Sequence, residues 1–356
     1  MTTYLPPLIT ERKLVEPIWG GTRLAAWLNL PEPRPARLGE SWQVYDTNRV
    51  MDGPFAGATL GELARTYGAA LVGSRTVARY GADLPLLAKF IDAADRLSIQ
   101  VHPDDAYAHS VEAHTGFHGK TEAWYIIDAV PGASVTYGLK RPSTRAEFAA
   151  AVAAGAVEEL MASLPVAPGD VVFVPAGTLH AINAGIVLFE IQQKSDLTYR
   201  VYDYGRRDAK TGQPRELHLE RALAVSRFGP APDGVVQPLA LAAGRDLLIA
   251  CPSFALERWQ VAGQVMLSVD PGSFEILTVL AGAGSLTPDS PGDERCALQQ
   301  GVSVVLPASL GTCSLDGELT VLRAYVPDLD GLTAAARAAG HGDRRIAEVI
   351  RAAAAP

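Results

Sequence analysis

The chain has 356 residues, with 31 Lys+Arg against 39 Asp+Glu for a formal net charge of −8. An acidic chain with no stripe of clustered Lys/Arg is poorly suited to nucleic acid or to an anionic membrane surface. Its 48% apolar and 20% charged residues exclude a wholly disordered chain.

At about 150 residues per domain the length predicts two domains. No run approaches the ~18 uncharged apolar residues that a membrane span requires. The start, Met1-Thr-Thr-Tyr-Leu-Pro-Pro7, lacks the basic and apolar blocks of a secretion signal. Cys251, Cys296 and Cys313 lie far apart and match neither a disulfide framework nor a zinc ribbon, which predicts a reducing, cytoplasmic setting.

In chain order, short runs rich in Val, Ile, Trp, Tyr and Phe predict strands at 41–45, 98–102, 124–128, 170–175 and 186–192. Between them, 60–71 and 144–154 have helical spacing, the second opening with Thr144 and Glu147 in a capping-box arrangement after Pro142. A second strand-rich block follows at 254–260, 264–270, 274–280, 303–306 and 319–326, and the Ala-rich stretch 332–355 predicts a terminal helix pair broken near 340–342. Gly301 to Ser309 echoes Gly169 to Gly177, but no histidine occurs between His218 and His341. The expectation is a mainly β chain of two antiparallel barrel or jelly-roll domains with a few packing helices. Residues 1–245 would carry the chemistry and helical insertions, 246–330 a second, metal-free β domain, and 331–356 a helical tail.

The chemistry concentrates in three segments. In Ser98-Ile-Gln-Val-His-Pro-Asp-Asp105, side chains two apart on a strand share a face, so Gln100 and His102 point the same way until Pro103 ends the pairing. Alone, such a pair also fits a hydrogen-bonded core or surface pair. Gly119-Lys-Thr-Glu-Ala-Trp-Tyr-Ile-Ile127 reads as the following strand, with Lys120 and Glu122 on one face. From Gly169 to Asn183, Pro175 and Gly177 bend the chain and His180 emerges just past the bend.

Gly-x5-Pro-x-Gly-x2-His resembles the second motif of the cupin barrels, with Asn183 one place early. The first cupin motif, His-x-His followed by Glu, stands here as Gln-x-His followed by Glu122. Gln100, His102, Glu122 and His180 offer two nitrogens and two oxygens to a borderline divalent ion: zinc first, with manganese, iron(II) or cobalt as alternatives. Mere filling of a barrel by these residues would leave a buried carboxylate unexplained. His109, His114 and His118 read as loop histidines outside the metal set, because Gly116 and Gly119 argue against a helix.

Leu86 to Asp105, Gly119 to Ile127, Val174 to Ala181 and Gln192-Gln-Lys-Ser-Asp-Leu-Thr-Tyr-Arg-Val-Tyr-Asp-Tyr204 together resemble the type I mannose-6-phosphate isomerase family, most closely its short bacterial form. The resemblance runs from Pro17-Ile-Trp-Gly-Gly21 and Gly39-Glu-Ser-Trp42 to about His218, with a plainer β domain after it. It implies a cupin enzyme with one zinc ion per chain, interconverting mannose 6-phosphate and fructose 6-phosphate. By motif position it implies Gln100, His102, Glu122 and His180 as ligands, Arg200 as the active-site arginine and Lys120 as the lysine two before the glutamate. Longer members use the glutamine as a fourth ligand, whereas two histidines and the glutamate can suffice in short ones. Gln100 is therefore either a ligand or a lining residue.

Aldose–ketose isomerisation needs a Lewis acid or cation at the developing oxyanion, a base for the carbon-bound proton and a cationic anchor for phosphate. Lys120, if desolvated beside the ion, is the candidate base; the alternative is a solvated lysine at a strand end. Arg200 could grip phosphate or an enediolate, or pair with Asp196 or Asp203. Glu190, a carboxylate in an apolar strand, could relay protons with Lys120 or pair with Lys194 or Arg200. Ser98 and Lys89 are candidate phosphate contacts. Competing readings are another cupin metalloenzyme, such as an oxygenase, and a non-catalytic sugar-phosphate-binding cupin. The expected partner is a small sugar phosphate, with no nucleic acid or membrane, in a monomer or small homo-oligomer.

Overall fold

A computed structural model describes residues 4–207, 212–229, 234–290 and 295–352. The chain is mainly β and folds as two compact units that interleave in sequence. One comprises Leu14–Ser41 and Phe90–Val236, the other Met1–Lys13, Trp42–Lys89 and Gln237–Pro356. The division drawn at 245 and 330 followed composition along the chain; the compact units follow packing, so residues 42–89 fall with the C-terminal half.

The unit containing residues 90–236 is built on two antiparallel sheets. One runs Tyr199–Tyr202, Ile99–Val101, His180–Ile182, Ser134–Leu139 and Met161–Pro165. The other runs Val235–Val236, Val171–Val174, Glu122–Ala129, Ile186–Gln193 and residues 90–93. Trp124, Ile126, Val135, Val172, Ile182 and Leu188 meet in the core they enclose. Full burial of each such aliphatic side chain contributes about 1.5–3 kcal/mol.

Register decides which side chains meet. His180 lies opposite Gln100 on one side and Tyr137 on the other, and Arg200 lies opposite Gln100. Directly opposed residues share a sheet face, so these four form one row. In the second sheet Glu122 lies opposite Gln192, and Trp124 lies opposite Glu190. Period-two alternation puts all four of these on one face.

The reverse face of the first sheet is covered by the helix Arg145–Ala153, whose Phe148 packs with Ile99, Val101, Leu179 and Tyr199. Its start agrees with the sequence: Thr144 Oγ accepts from Glu147 N at 3.1 Å. Removing such a cap costs about 1 kcal/mol.

The other unit carries a sheet ordered Leu8–Ile9, Ser303–Leu306, Glu275–Pro288, Thr312–Tyr325, Ala255–Ser268, Arg245–Ala250 and Leu239–Ala242, with Cys296–Gln299 paired to Glu275–Pro288. Where separate strands were expected at 254–260 and 264–270, one 14-residue strand runs through. The reason is a row of glycines: Gly263 lies opposite Gly317, which lies opposite Gly284 on its other side. A Cβ on Gly284 would stand 2.2 Å from Asp316 O, and one on Gly317 2.5 Å from Ala283 O. Without side chains, the strands of Gly317 and Gly284 can approach closely, and Gly263, with φ of 80°, lets its strand bend without breaking.

Inside this unit sits a buried ionic cluster. Arg323 Nε donates to Glu275 Oε2 at 2.7 Å, Arg245 Nε to Glu257 Oε2 at 2.8 Å and Trp259 Nε1 to Glu257 Oε2 at 2.6 Å. The Arg323 guanidinium also lies 5.2 Å from the Trp259 ring centre and 4.8 Å from that of Tyr325.

The helix expected over 60–71 is two, Leu60–Tyr67 and Ala69–Val72, because Gly68 turns the chain with φ of 48°. The terminal pair is Leu329–Ala338 and Asp343–Ala347, and the last residues of the expected stretch, 353–355, lie outside the described residues. Among the described residues no helix is long and apolar enough to cross a membrane.

Candidate metal centre

His102, Glu122 and His180 are each about 1% exposed, and one ligand atom of each lies within 4.8 Å of the others. Three local devices bring them together. Pro103 ends the strand Ile99–Val101 just after His102. Gly177, with φ of 84°, makes the turn that delivers His180 and donates its N–H to His102 O at 2.8 Å. Glu122 opens the strand that follows Lys120.

The imidazoles are fixed from behind. His102 Nδ1 donates to Leu197 O at 2.9 Å and His180 Nδ1 to Thr178 O at 2.8 Å. Each ring therefore turns Nε2 toward Glu122, the outer support that metal-binding histidines carry. His180 Nε2 is 3.2 Å from Glu122 Oε1, and His102 Nε2 is 3.5 Å from Glu122 Oε2. Ligand atoms sharing one tetrahedral zinc ion stand roughly 3.3–3.6 Å apart. Neither Glu122 oxygen has a well-aligned hydrogen-bond donor, so a buried carboxylate faces two imidazole lone pairs. This donor set fits a borderline divalent cation.

Burial, and then the Lys120 charge, hold His102 well below the ordinary histidine value, which keeps a lone pair available. Burial alone would raise Glu122, but Lys120 and the histidines outweigh it and hold the carboxyl well below its usual range. Lys120 is not a solvated strand-end lysine. It is buried, with Nζ 2.7 Å from Glu122 Oε2 and 2.9 Å from His102 Nε2.

The remaining candidates divide. Gln100 is half-buried, with Nε2 3.4 Å from His180 Nε2. Arg200 Nε donates to Ser98 Oγ at 3.2 Å and its Nη1 to Glu216 O at 2.9 Å. Asp203, offered by the sequence as an Arg200 partner, is instead held by Arg206 Nη2 at 2.6 Å and Arg215 Nε at 2.8 Å. Glu190 accepts from Trp124 Nε1 at 2.8 Å. Lys89 is buried in the strand Leu86–Ala93, at the end of the stretch assigned to the other unit.

Two residues were not singled out. Trp124 holds Glu190 and packs edge-on to His180 with ring centres 5.5 Å apart. Gln192, opposite Glu122, is fully buried, donates to Gln193 O and Ser195 O at 2.9 Å, and has its Oε1 without a hydrogen-bond partner. Both stand two residues from a flagged glutamate on a strand, and that spacing was the available signal.

Two antiparallel sheets with a buried His–Glu–His cluster between them define a cupin-type barrel whose cluster could hold a metal ion. Residues 10–125 match the family described as phosphomannose isomerase type I, catalytic domain, and residues 245–326 match the mannose-6-phosphate isomerase cupin domain. A mannose-6-phosphate isomerase of Streptococcus mutans is 35% identical over 324 residues, covering 90% of this chain and 98% of that protein. One of Bacillus subtilis is 36% identical over 328 residues, covering 89% and 97%. The crystal structure of the mannose 6-phosphate isomerase from Bacillus subtilis superposes with a TM-score of 0.80 at 33% identity, covering 90% of this chain and 99% of that one. The chain belongs to the type I mannose-6-phosphate isomerase family.

Proposed function

We propose that this chain interconverts mannose 6-phosphate and fructose 6-phosphate, with one zinc ion held by His102, Glu122 and His180. The observation that carries the reading is the placement of the Lys120 amine against that ligand set, 2.9 Å from His102 Nε2 and 2.7 Å from Glu122 Oε2. A proton-carrying group and a cation-binding group in one buried site are what an enediolate pathway requires.

Zinc supplies a Lewis acid for the negative charge that develops on the sugar's carbonyl oxygen. Lys120 is assigned to take the proton from C2 of the open-chain aldose and return it to C1, while the hydroxyl proton at O2 passes to O1. Arg200 is held by two neutral oxygens, Ser98 Oγ and Glu216 O, and is assigned to the phosphate or the enediolate. Glu190, fixed by the Trp124 indole, is the second group able to hold a proton, and Ser98 is assigned to phosphate.

A coupled assay of the purified chain on mannose 6-phosphate, before and after chelation and after zinc is restored, tests this reading. Turnover is expected to vanish on chelation and return with zinc, with solvent deuterium entering C1 or C2. Undiminished turnover after verified removal of metal would overturn it.

A further inference from the structure

Asp105, His109 and His118 form a second set of metal-ligand side chains, with one ligand atom of each within 4.8 Å of the others. Asp105 and His109 stand four apart on the helix Asp105–Ser110 and therefore share a face. His118 arrives from the segment that follows the turn Ala113–Thr115 and leads into Lys120. The reading of His109 as a loop residue is corrected here: Asp104 Oδ1 accepts from Tyr107 N at 2.8 Å and starts a helix ahead of the glycines that argued against one.

The geometry suits an ion. His109 Nε2 lies 3.0 Å from His118 Nδ1, with ring planes 82° apart. A slight opening of that contact gives the roughly 3.3–3.6 Å separation of two nitrogens on a tetrahedral ion. The Asp105 carboxylate is already oriented, because its Oδ1 accepts from Gly119 N at 2.9 Å and from Gln193 Nε2 at 2.8 Å. Hydrogen bonds that fix a carboxylate in this way are the usual outer support of a metal ligand. Two imidazoles and one carboxylate disfavour magnesium and calcium, which take all-oxygen sites, and suit the zinc class of cations.

We propose that Asp105, His109 and His118 bind a second divalent cation of the zinc class, with a coordination position left to water because His109 is exposed. The ion joins the helix Asp105–Ser110 to the segment entering Lys120, closing the loop between them. It is a site separate from the His102–Glu122–His180 centre and uses none of its ligands.

The test is metal stoichiometry. The purified full chain is titrated with Zn²⁺ in a calorimeter, and its bound metal is counted after gel filtration. The unmodified chain is expected to carry two equivalents, and His109→Gln one, with isomerase turnover unchanged. Glu122→Gln is expected to keep the equivalent that depends on His109, so failure of the catalytic-centre reading shows separately. His118→Ala repeats the loss from the other element, and because His109 is exposed, His109→Gln decides the matter even if His118→Ala misfolds. Equal zinc content in the unmodified chain and His109→Gln would overturn the proposal.

Discussion

Lys120 Nζ stands 2.7 Å from Glu122 Oε2, and the two residues are only 5% and 1% exposed. Two opposite charges on neighbouring same-face positions thus compensate each other where water cannot. Breaking such a pair by removing one partner typically costs about 3–5 kcal/mol, because the other charge is left buried. Lys120→Met is expected to lower kcat by about 10²–10⁴-fold, the range for loss of a general base. It should also lower the unfolding temperature more in chelated protein than in zinc-loaded protein, since a bound cation compensates Glu122 in the absence of the lysine. Steady-state kinetics and thermal unfolding with and without chelator read both effects; an equal temperature shift in the two states would argue against a shared site.

His180→Ala and Gln100→Ala separate a ligand from a lining residue. His180 presents Nε2 to Glu122 at 3.2 Å, whereas Gln100 touches the centre only through a 3.4 Å contact with that same nitrogen. His180→Ala is expected to lose the zinc of this centre and its turnover together, keeping only the equivalent that depends on His109. Gln100→Ala is expected to match the zinc content of the unmodified chain by elemental analysis, because three ligands converge without it. Loss of one equivalent in Gln100→Ala would make the glutamine an obligatory fourth ligand.

Much of this centre was legible in the chain itself. Gln100 with His102 and Lys120 with Glu122 follow from period-two alternation, although the strands themselves end at Val101 and begin at Glu122, and His180 follows from a proline–glycine bend, so local chemistry sufficed. What stayed hidden depends on pairing between distant strands. Trp124 meets Glu190 only because the register sets them opposite each other, and nothing within either segment states that register. The helix at His109 begins on an Asp104 cap that precedes the two glycines, so the glycines say nothing of where it starts. One strand, Ala255–Ser268, stands where two were expected, because the pairing of Gly263 with Gly317 that carries it through is a matter of register between distant segments.

Arg200 and Ser98 can be tested as a pair. A hydrogen bond to a charged group contributes about 1.5–3 kcal/mol, so losing the guanidinium fork in Arg200→Lys should raise KM for the sugar phosphate by about 10–150-fold. Ser98→Ala removes the 3.2 Å contact that positions Arg200 and should raise KM by less. In the double variant the two effects are expected to fall short of additive, because both act through one side chain. Strict additivity of the KM changes would place Ser98 in a separate role.

Acid should loosen the unit that carries the buried ionic cluster. Burial alone would raise Glu257, but the Arg245 hydrogen bond and the Arg323 and Arg245 charges hold it below the ordinary glutamate value. A group lowered in the folded state stabilises above its unfolded value, about 4.3, and that contribution is lost as pH falls through the folded value. Chemical unfolding of the parent chain is therefore expected to weaken below about pH 4.3 more steeply than that of Glu257→Gln. Parallel pH profiles for the two proteins would refute the assignment.

The row Gly263, Gly317 and Gly284 also constrains how this chain can vary in length. Adding or deleting one residue in either strand of the Gly317–Gly284 pair would move a side chain into a gap that only hydrogen fills, and would flip the remainder of that strand to the opposite face. A compensating change in both neighbouring strands would then be required at once. Insertions in these three strands should therefore survive only at the connecting turns, which makes the turns the places to splice in a tag or a reporter.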